Sequence, residues 1–165
     1  MSDYLKFLDS KAQLAGEHGF EPILLPKSLF GFQETLVDWS LRKGRGAIFA
    51  DCGMGKTLMQ LVWADNIVRK TNKRVLILTP LAVAAQTIRE AEKFGIECAR
   101  SENGKLHPGI NITNYERLHH FDATDFVGAV CDESSILKSF DGVRRQDITV
   151  FMRKLPYRSL CTATT

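Results

Sequence analysis

Five short apolar runs recur along the chain without a polar residue at every second place: Ala47–Ala50, Val75–Leu78, Ile110–Thr113, Phe126–Cys131 and Ser159–Cys161. A strand with one wet face alternates apolar and polar residues, so runs of this kind belong to strands covered on both sides. The first four are each followed by a stretch with helical periodicity, at 57–69, 82–94, 115–120 and 144–154. Strand and helix in alternation build a parallel sheet with helices on both faces, and the expected fold class is α/β. Two further helices are expected ahead of the first strand. Residues 3–16 align Tyr4, Phe7, Leu8, Ala12 and Ala15, and residues 32–43 align Phe32, Leu36, Val37, Trp39 and Leu41. The first reads as a helical extension over residues 1–28, appended to a domain over 29–165.

Composition adds exclusions. At 165 residues with 44% hydrophobic and 25% charged residues, the chain has the make-up of a folded globular domain. It has no apolar stretch of about 18 residues and no leader-like N-terminus, so the expectation is a cytoplasmic protein without a membrane partner. Cys52, Cys98, Cys131 and Cys161 lie far apart with no metal spacing to His18, His107, His119 or His120, and read as reduced thiols, mostly in the core. The net charge is +3, but residues 138–158 carry six cations, Lys138, Arg144, Arg145, Arg153, Lys154 and Arg158, against Asp141 and Asp147. A solvated helix face and a nucleic-acid contact both fit that stretch.

Chemistry in open parallel sheets collects at the carboxyl ends of the strands. After the first run comes Asp51-Cys52-Gly53-Met54-Gly55-Lys56-Thr57, opening directly into Leu58-Met59-Gln60-Leu61. Strand, glycine loop, Lys-Thr and helix are what a nucleoside triphosphate requires. Gly53 and Gly55 let backbone N–H groups of the loop, with Met54 between them, point inward around the β-phosphate, the helix N-terminus adds positive potential, Lys56 reaches the β- and γ-oxygens, and Thr57 can ligate Mg2+. Ala50 stands where the strict phosphate-loop pattern has glycine. After the fourth run, Asp132 and Glu133 are placed to hold the metal and to orient or deprotonate a water.

These residues resemble the first RecA-like lobe of superfamily 2 helicases of the DEAD/DEAH-like group, which includes Swi/Snf-type translocases and many phage-encoded helicases. Leu29 to Trp39 resembles the Q motif, whose glutamine, here Gln33, reads adenine. Ala50 to Leu58 resembles motif I, in which alanine commonly stands first. Leu78-Thr79-Pro80-Leu81 with Gln86 is similar to motif Ia, and Ile112 to Leu118 to motif Ib. Asp132-Glu133-Ser134-Ser135 fills the acidic box, Ile136 to Ser139 is like the sequence that follows it in Swi/Snf relatives, and Leu160 to Thr164 fits motif III.

The resemblance implies an ATP- and Mg2+-binding P-loop NTPase lobe of an ATP-hydrolysing helicase or translocase. It implies a nucleic-acid track through Thr79, Pro80, Thr113 and Lys138, extended by Arg144 and Arg145. Thr162, Ala163 and Thr164 would couple hydrolysis to strand movement. The box reads Asp-Glu-Ser-Ser, which does not assign the RNA subgroup, and the Swi/Snf-like tail favours double-stranded DNA. A second RecA-like lobe is the expected partner in hydrolysis, so this lobe alone is expected to bind ATP and turn it over poorly. A P-loop phosphotransferase and a non-catalytic nucleic-acid-binding module are the alternatives. Trp39, Trp63, Phe49 and Tyr115 read as packing residues, in the core or between lobes.

Overall fold

The computed structural model describes residues 17–51 and 53–163. The expected helix over 3–16, Cys52 and Thr164 lie outside them. In chain order the elements are α1 (Gly31–Lys43), β1 (Arg45–Phe49), α2 (Lys56–Thr71), β2 (Val75–Thr79), α3 (Ala84–Lys93), β3 (Cys98–Arg100), β4 (Ile110–Asn114), β5 (Gly128–Asp132), α4 (Gly142–Arg153) and β6 (Tyr157–Thr162). Short 3-10 segments occupy Tyr115–His120, Ala123–Asp125 and Ser134–Ser139. The six strands form one sheet in the order β1-β6-β5-β2-β4-β3, and every pairing is parallel.

The apolar runs produce this sheet because alternate residues feed two separate cores. Val75, Ile77, Ile110, Ile112 and Val130 pack with α1, α2 and α3, whereas Leu76, Leu78, Ala129 and Cys131 pack with α4 and the 3-10 segment after β4. Helix α2 is the centre of the first core. Leu58, Met59, Leu61, Val62, Trp63, Ala64 and Ile67 are all buried, so it is apolar nearly all round, as a helix wedged between sheet and helices must be. Burial pushes the Cys131 and Cys161 thiols up to about 12 and Cys98 to about 11, consistent with unreactive packing sulfurs.

Several expected boundaries move. The helix expected over 115–120 is a 3-10 segment, because six residues barely close an α-helical nucleus and its leading Asn114 makes no side-chain cap. The strand expected from the fourth apolar run, β5, begins at Gly128, since Phe126 turns into the second core directly after a 3-10 turn. Strand β3 had no apolar run to announce it: Cys98-Ala99-Arg100 borrows its conformation from pairing with β4. Of the four residues expected to pack in the core or between lobes, Trp63 and Tyr115 are core, and Trp39 and Phe49 are exposed, Phe49 by 59%. Both stand by β1, the edge strand, where cover on the sheet runs out.

The described part of the expected extension, residues 17–28, contains no helix. It is an extended strap, whose His18, Gly19 and Phe20 N–H groups bond the carbonyls of Lys43, Arg42 and Leu41 at the end of α1. Gly19 is dictated by closeness, as a Cβ there would sit 1.6 Å from the Leu41 oxygen. Further along, the buried Asn66 of α2 holds the strap at both polarities. Its Oδ1 accepts from Ile23 N at 2.8 Å and Leu24 N at 2.9 Å, and its Nδ2 donates to Leu24 O and Val62 O, each at 2.8 Å. Replacing Asn66→Ala strands these backbone groups, and should cost about 3 kcal/mol of unfolding free energy. Urea denaturation checks it; a loss below about 1 kcal/mol would contradict the role given to this amide.

Candidate nucleotide site

The register of three neighbouring strands assembles the site. Phe49 of β1 pairs with Thr162 of β6, and Cys161 of β6 pairs with Asp132 of β5. The glycine loop and the acidic pair therefore leave the sheet on the same edge, two strand spacings or about 10 Å apart. Residue Thr162 sits between them, its carbonyl accepting from Ala50 N at 3.1 Å.

The loop is shaped by two left-handed glycines, Gly53 at φ 83° and Gly55 at φ 74°. Gly55 is the N-cap of α2 and offers no side-chain cap, and the first intrahelical bond of the turn is Met59 N to Gly55 O. The N–H groups of Lys56, Thr57 and Leu58 are thus the free donors of a helix start, a place where anions bind. The Leu58 side chain is in the core, which leaves its backbone as the group it can offer. Lys56 Nζ donates to Ala50 O at 3.1 Å and lies 3.6 Å from Glu133 Oε1. Loop and acidic pair meet in space, as their order along the chain predicts.

Both acidic residues carry marks of a site. Glu133 has φ 48°, a left-handed conformation uncommon outside glycine, asparagine and aspartate and found preferentially at functional positions. Asp132 is only 5% exposed. Burial pushes its carboxyl above the ordinary carboxylate range, the hydrogen bond from Gln60 opposes that rise, and the neighbouring Glu133 charge adds to it. Gln60 Nε2 donates to Asp132 Oδ1 at 2.7 Å, and the buried Tyr115 hydroxyl donates to the Asp132 backbone carbonyl at 2.6 Å. Sequence reasoning missed Gln60 as a site residue. Its signal was the helical spacing: Gln60 follows Lys56 by four residues and Thr57 by three, which puts all three on one side of α2.

Gln33 is 4% exposed, and its amide is engaged at both ends: Oε1 accepts from Phe30 N at 2.9 Å and Nε2 donates to Met54 O at 2.8 Å. It props the phosphate loop from below, so closely that a Cβ on Gly55 would lie 2.2 Å from Nε2. The expected track needs correction in its chemistry. The Thr79 and Thr113 side chains are fully buried at the ends of β2 and β4, so no phosphate reaches their hydroxyls in this conformation. Pro80, half-buried, and Lys138, exposed, are accessible, as are Arg144 and Arg145 on α4. The basic stretch itself divides: Lys138, Arg144 and Arg145 follow the carboxyl end of β5, whereas Arg153, Lys154 and Arg158 lie at the opposite end, where β6 starts. A cavity of about 710 Å³ lies apart from the phosphate loop, between residues 115–123 and α4.

The residues present fit a magnesium-bound triphosphate: a glycine cradle on a helix start, one lysine, one threonine hydroxyl, and two carboxylates beside a buried amide oxygen without a partner. No helix among the described residues is long and apolar enough to cross a membrane.

Comparison with known proteins agrees with this geometry. The family model "Type III restriction enzyme, res subunit" matches residues 26–139. No curated protein sequence matches the chain. Among solved structures, the UvsW helicase of bacteriophage T4 superposes with a TM-score of 0.73 at 13% identity, over 98% of this chain and 69% of that one. A second T4 UvsW structure gives 0.72 at 12% identity, over 96% of this chain and 34% of that one. The Sulfolobus solfataricus SWI2/SNF2 ATPase core, in complex with dsDNA, gives 0.67 at 21% identity, over 88% of this chain and 34% of that one. The chain therefore shares the parallel α/β fold of these structures, and it spans about one to two thirds of the proteins it superposes on.

The raised Asp132 carboxyl has a consequence for stability. Its native pKa lies above the 3.8 of the unfolded chain, so the unfolded state loses its proton first, and stability falls as pH climbs from 3.8 through the native value. Above the native value that cost is fully present. Asp132→Asn, which keeps an oxygen for Gln60, should melt at a higher temperature than the parent at pH 7, with the gap closing towards pH 4. Calorimetry at the two pH values decides; a lower melting point at pH 7 would overturn the assignment.

Proposed function

The chain belongs to the type III restriction enzyme res-subunit family, and from that footing we propose that it is the ATP-binding lobe of an ATP-dependent motor acting on nucleic acid, double-stranded DNA in preference to RNA. The observation that carries the reading is the meeting of Lys56 with Glu133 beside the buried Asp132. In a fold used for many functions, it is this site that argues for triphosphate chemistry.

Each residue then has a task. The N–H groups at the start of α2 and the Lys56 ammonium hold the phosphates, Lys56 leaving Ala50 O and Glu133 to do so. Thr57 and Asp132 are the protein ligands for Mg2+, which when bound neutralises charge on the β- and γ-oxygens. Glu133, released from Lys56, orients the attacking water and takes its proton. Gln33 reads the adenine edge with the N–H and lone pair its amide keeps after bonding Met54 and Phe30. Thr162, between the two halves of the site, relays changes there to the nucleic acid together with Ala163 and Thr164, which follow it in the chain. Pro80, Lys138, Arg144 and Arg145 contribute to the track. Contacts of this type position a strand by its phosphates and do not read sequence.

Turnover at motor rates requires a second lobe, whose arginine would stabilise charge on the transferring phosphoryl group by a factor of about 10³ to 10⁵ in analogous enzymes. These 165 residues should therefore bind Mg-ATP while hydrolysing it slowly, and Lys56→Ala should weaken binding at least about tenfold without lowering the melting temperature. Calorimetric titration with a non-hydrolysable ATP analogue measures the first. Hydrolysis at intact-motor rates by this chain, abolished in Lys56→Ala, would contradict the second-lobe requirement. Neutralising Lys138, Arg144 and Arg145 together should weaken duplex binding and flatten its salt dependence, by about 0.9 in log–log slope for each DNA phosphate that is no longer neutralised. Unchanged binding would return these residues to the solvated surface.

A further inference from the structure

Gln60 is out of place by its surroundings. Its sequence neighbours Leu58, Met59, Leu61, Val62 and Trp63 are core residues, and Gln60 itself is 1% exposed. A primary amide in that setting is costly unless both of its ends find partners. One does: Nε2 donates to Asp132 Oδ1 at 2.7 Å, across from helix α2 to strand β5. The other does not: Oε1 is buried and makes no hydrogen bond among the described residues, the Cys161 thiol within reach of the amide being only a weak donor.

Chemistry fixes which end is which. Turning the amide over would press its oxygen against a carboxylate oxygen, two acceptors face to face, so Asp132 dictates that the nitrogen points towards it. The orphan oxygen is thereby forced to look elsewhere, beside the carboxylate that is the expected metal ligand. Lys56 Nζ, a cation of the same helix face, is committed to Ala50 O and Glu133 and does not reach it. The missing partner is a strong donor that the described residues do not supply. Waters on a divalent cation are strong donors with both hydrogens available, and Mg2+ retains several of them in nucleotide sites.

We propose that Gln60 is a positioning residue of the metal site: its amide nitrogen holds Asp132 in the orientation that faces the ion, and its carbonyl oxygen accepts a hydrogen bond from a water on Mg2+. This inference rests on the Mg-ATP reading above and deepens it. On this reading Gln60 acts through Asp132 and that water, so its work is confined to the metal. Groups of this kind, one step beyond the ligands, commonly change metal affinity by 10- to 100-fold when removed.

The test separates metal from nucleotide. Affinity of the full chain for a fluorescent ATP analogue is measured in EDTA and across a Mg2+ titration, for the parent, for Gln60→Met, of similar length but without polar atoms, and for Gln60→Asn, whose amide is set back by one carbon. Both variants should raise the Mg2+ concentration at half-effect by about tenfold or more, with affinity in EDTA unchanged. A residue with a merely structural role would lower both arms together. A parent-like Mg2+ midpoint in either folded variant, or a fall of affinity in EDTA equal to that in Mg2+, overturns the proposal. Should the parent itself bind the analogue with no response to Mg2+, the metal reading of the whole site fails, and this inference with it.

Discussion

The Asp132 carboxylate is withdrawn from water at the carboxyl end of a central strand, and what surrounds it follows from the cost of that withdrawal. Gln60 reaches across from α2 to donate to it, Tyr115 anchors its backbone from the segment after β4, and Lys56 lies against its neighbour Glu133. Three stretches far apart in sequence are thereby fixed to one point. A more solvated carboxylate would need none of these partners, and would lack the low-dielectric setting in which charge on a phosphate or metal is felt most strongly.

Loop and carboxylates are also held in a mutually occupied arrangement. Lys56 rests on the loop's own Ala50 carbonyl and faces Glu133, and Gln33 is tied to Met54. Each interaction involves a group that a triphosphate would also engage. Binding would then exchange partners and not merely fill a space, next to the left-handed backbone of Glu133. Tyr115 gives a physical link in the other direction, because its segment leaves the carboxyl end of β4 and its hydroxyl ends on the carbonyl of Asp132. Burial raises the phenol far above its usual range, so this donor keeps its proton at any physiological pH.

The parallel sheet was legible because Val75 to Leu78 and its counterparts are apolar at successive positions, and only burial on both faces allows that. The phosphate loop was legible because its glycines, lysine and threonine are local requirements, met within seven residues. Strand β3 was not, since Cys98-Ala99-Arg100 has no pattern of its own and becomes a strand by pairing. Nor was the burial of Thr79 and Thr113, as threonine suits a strand on either side of the line between core and surface. Gln60 was hidden for a related reason: a lone glutamine among apolar residues does not say which distant group it meets.

Local sequence settled which segments become strands, where the glycine loop opens into a helix, and that an acidic pair leaves a later strand, because each of these depends on residues within a turn or a strand of one another. Packing of the whole chain was needed to set β1 and β5 on either side of β6, to bring Lys56 to 3.6 Å from Glu133, and to let Gln60 donate to Asp132 across 72 positions of chain. Strand order is set by how α2, α3 and α4 divide the two faces of the sheet between them, an outcome of long-range packing that no local pattern encodes.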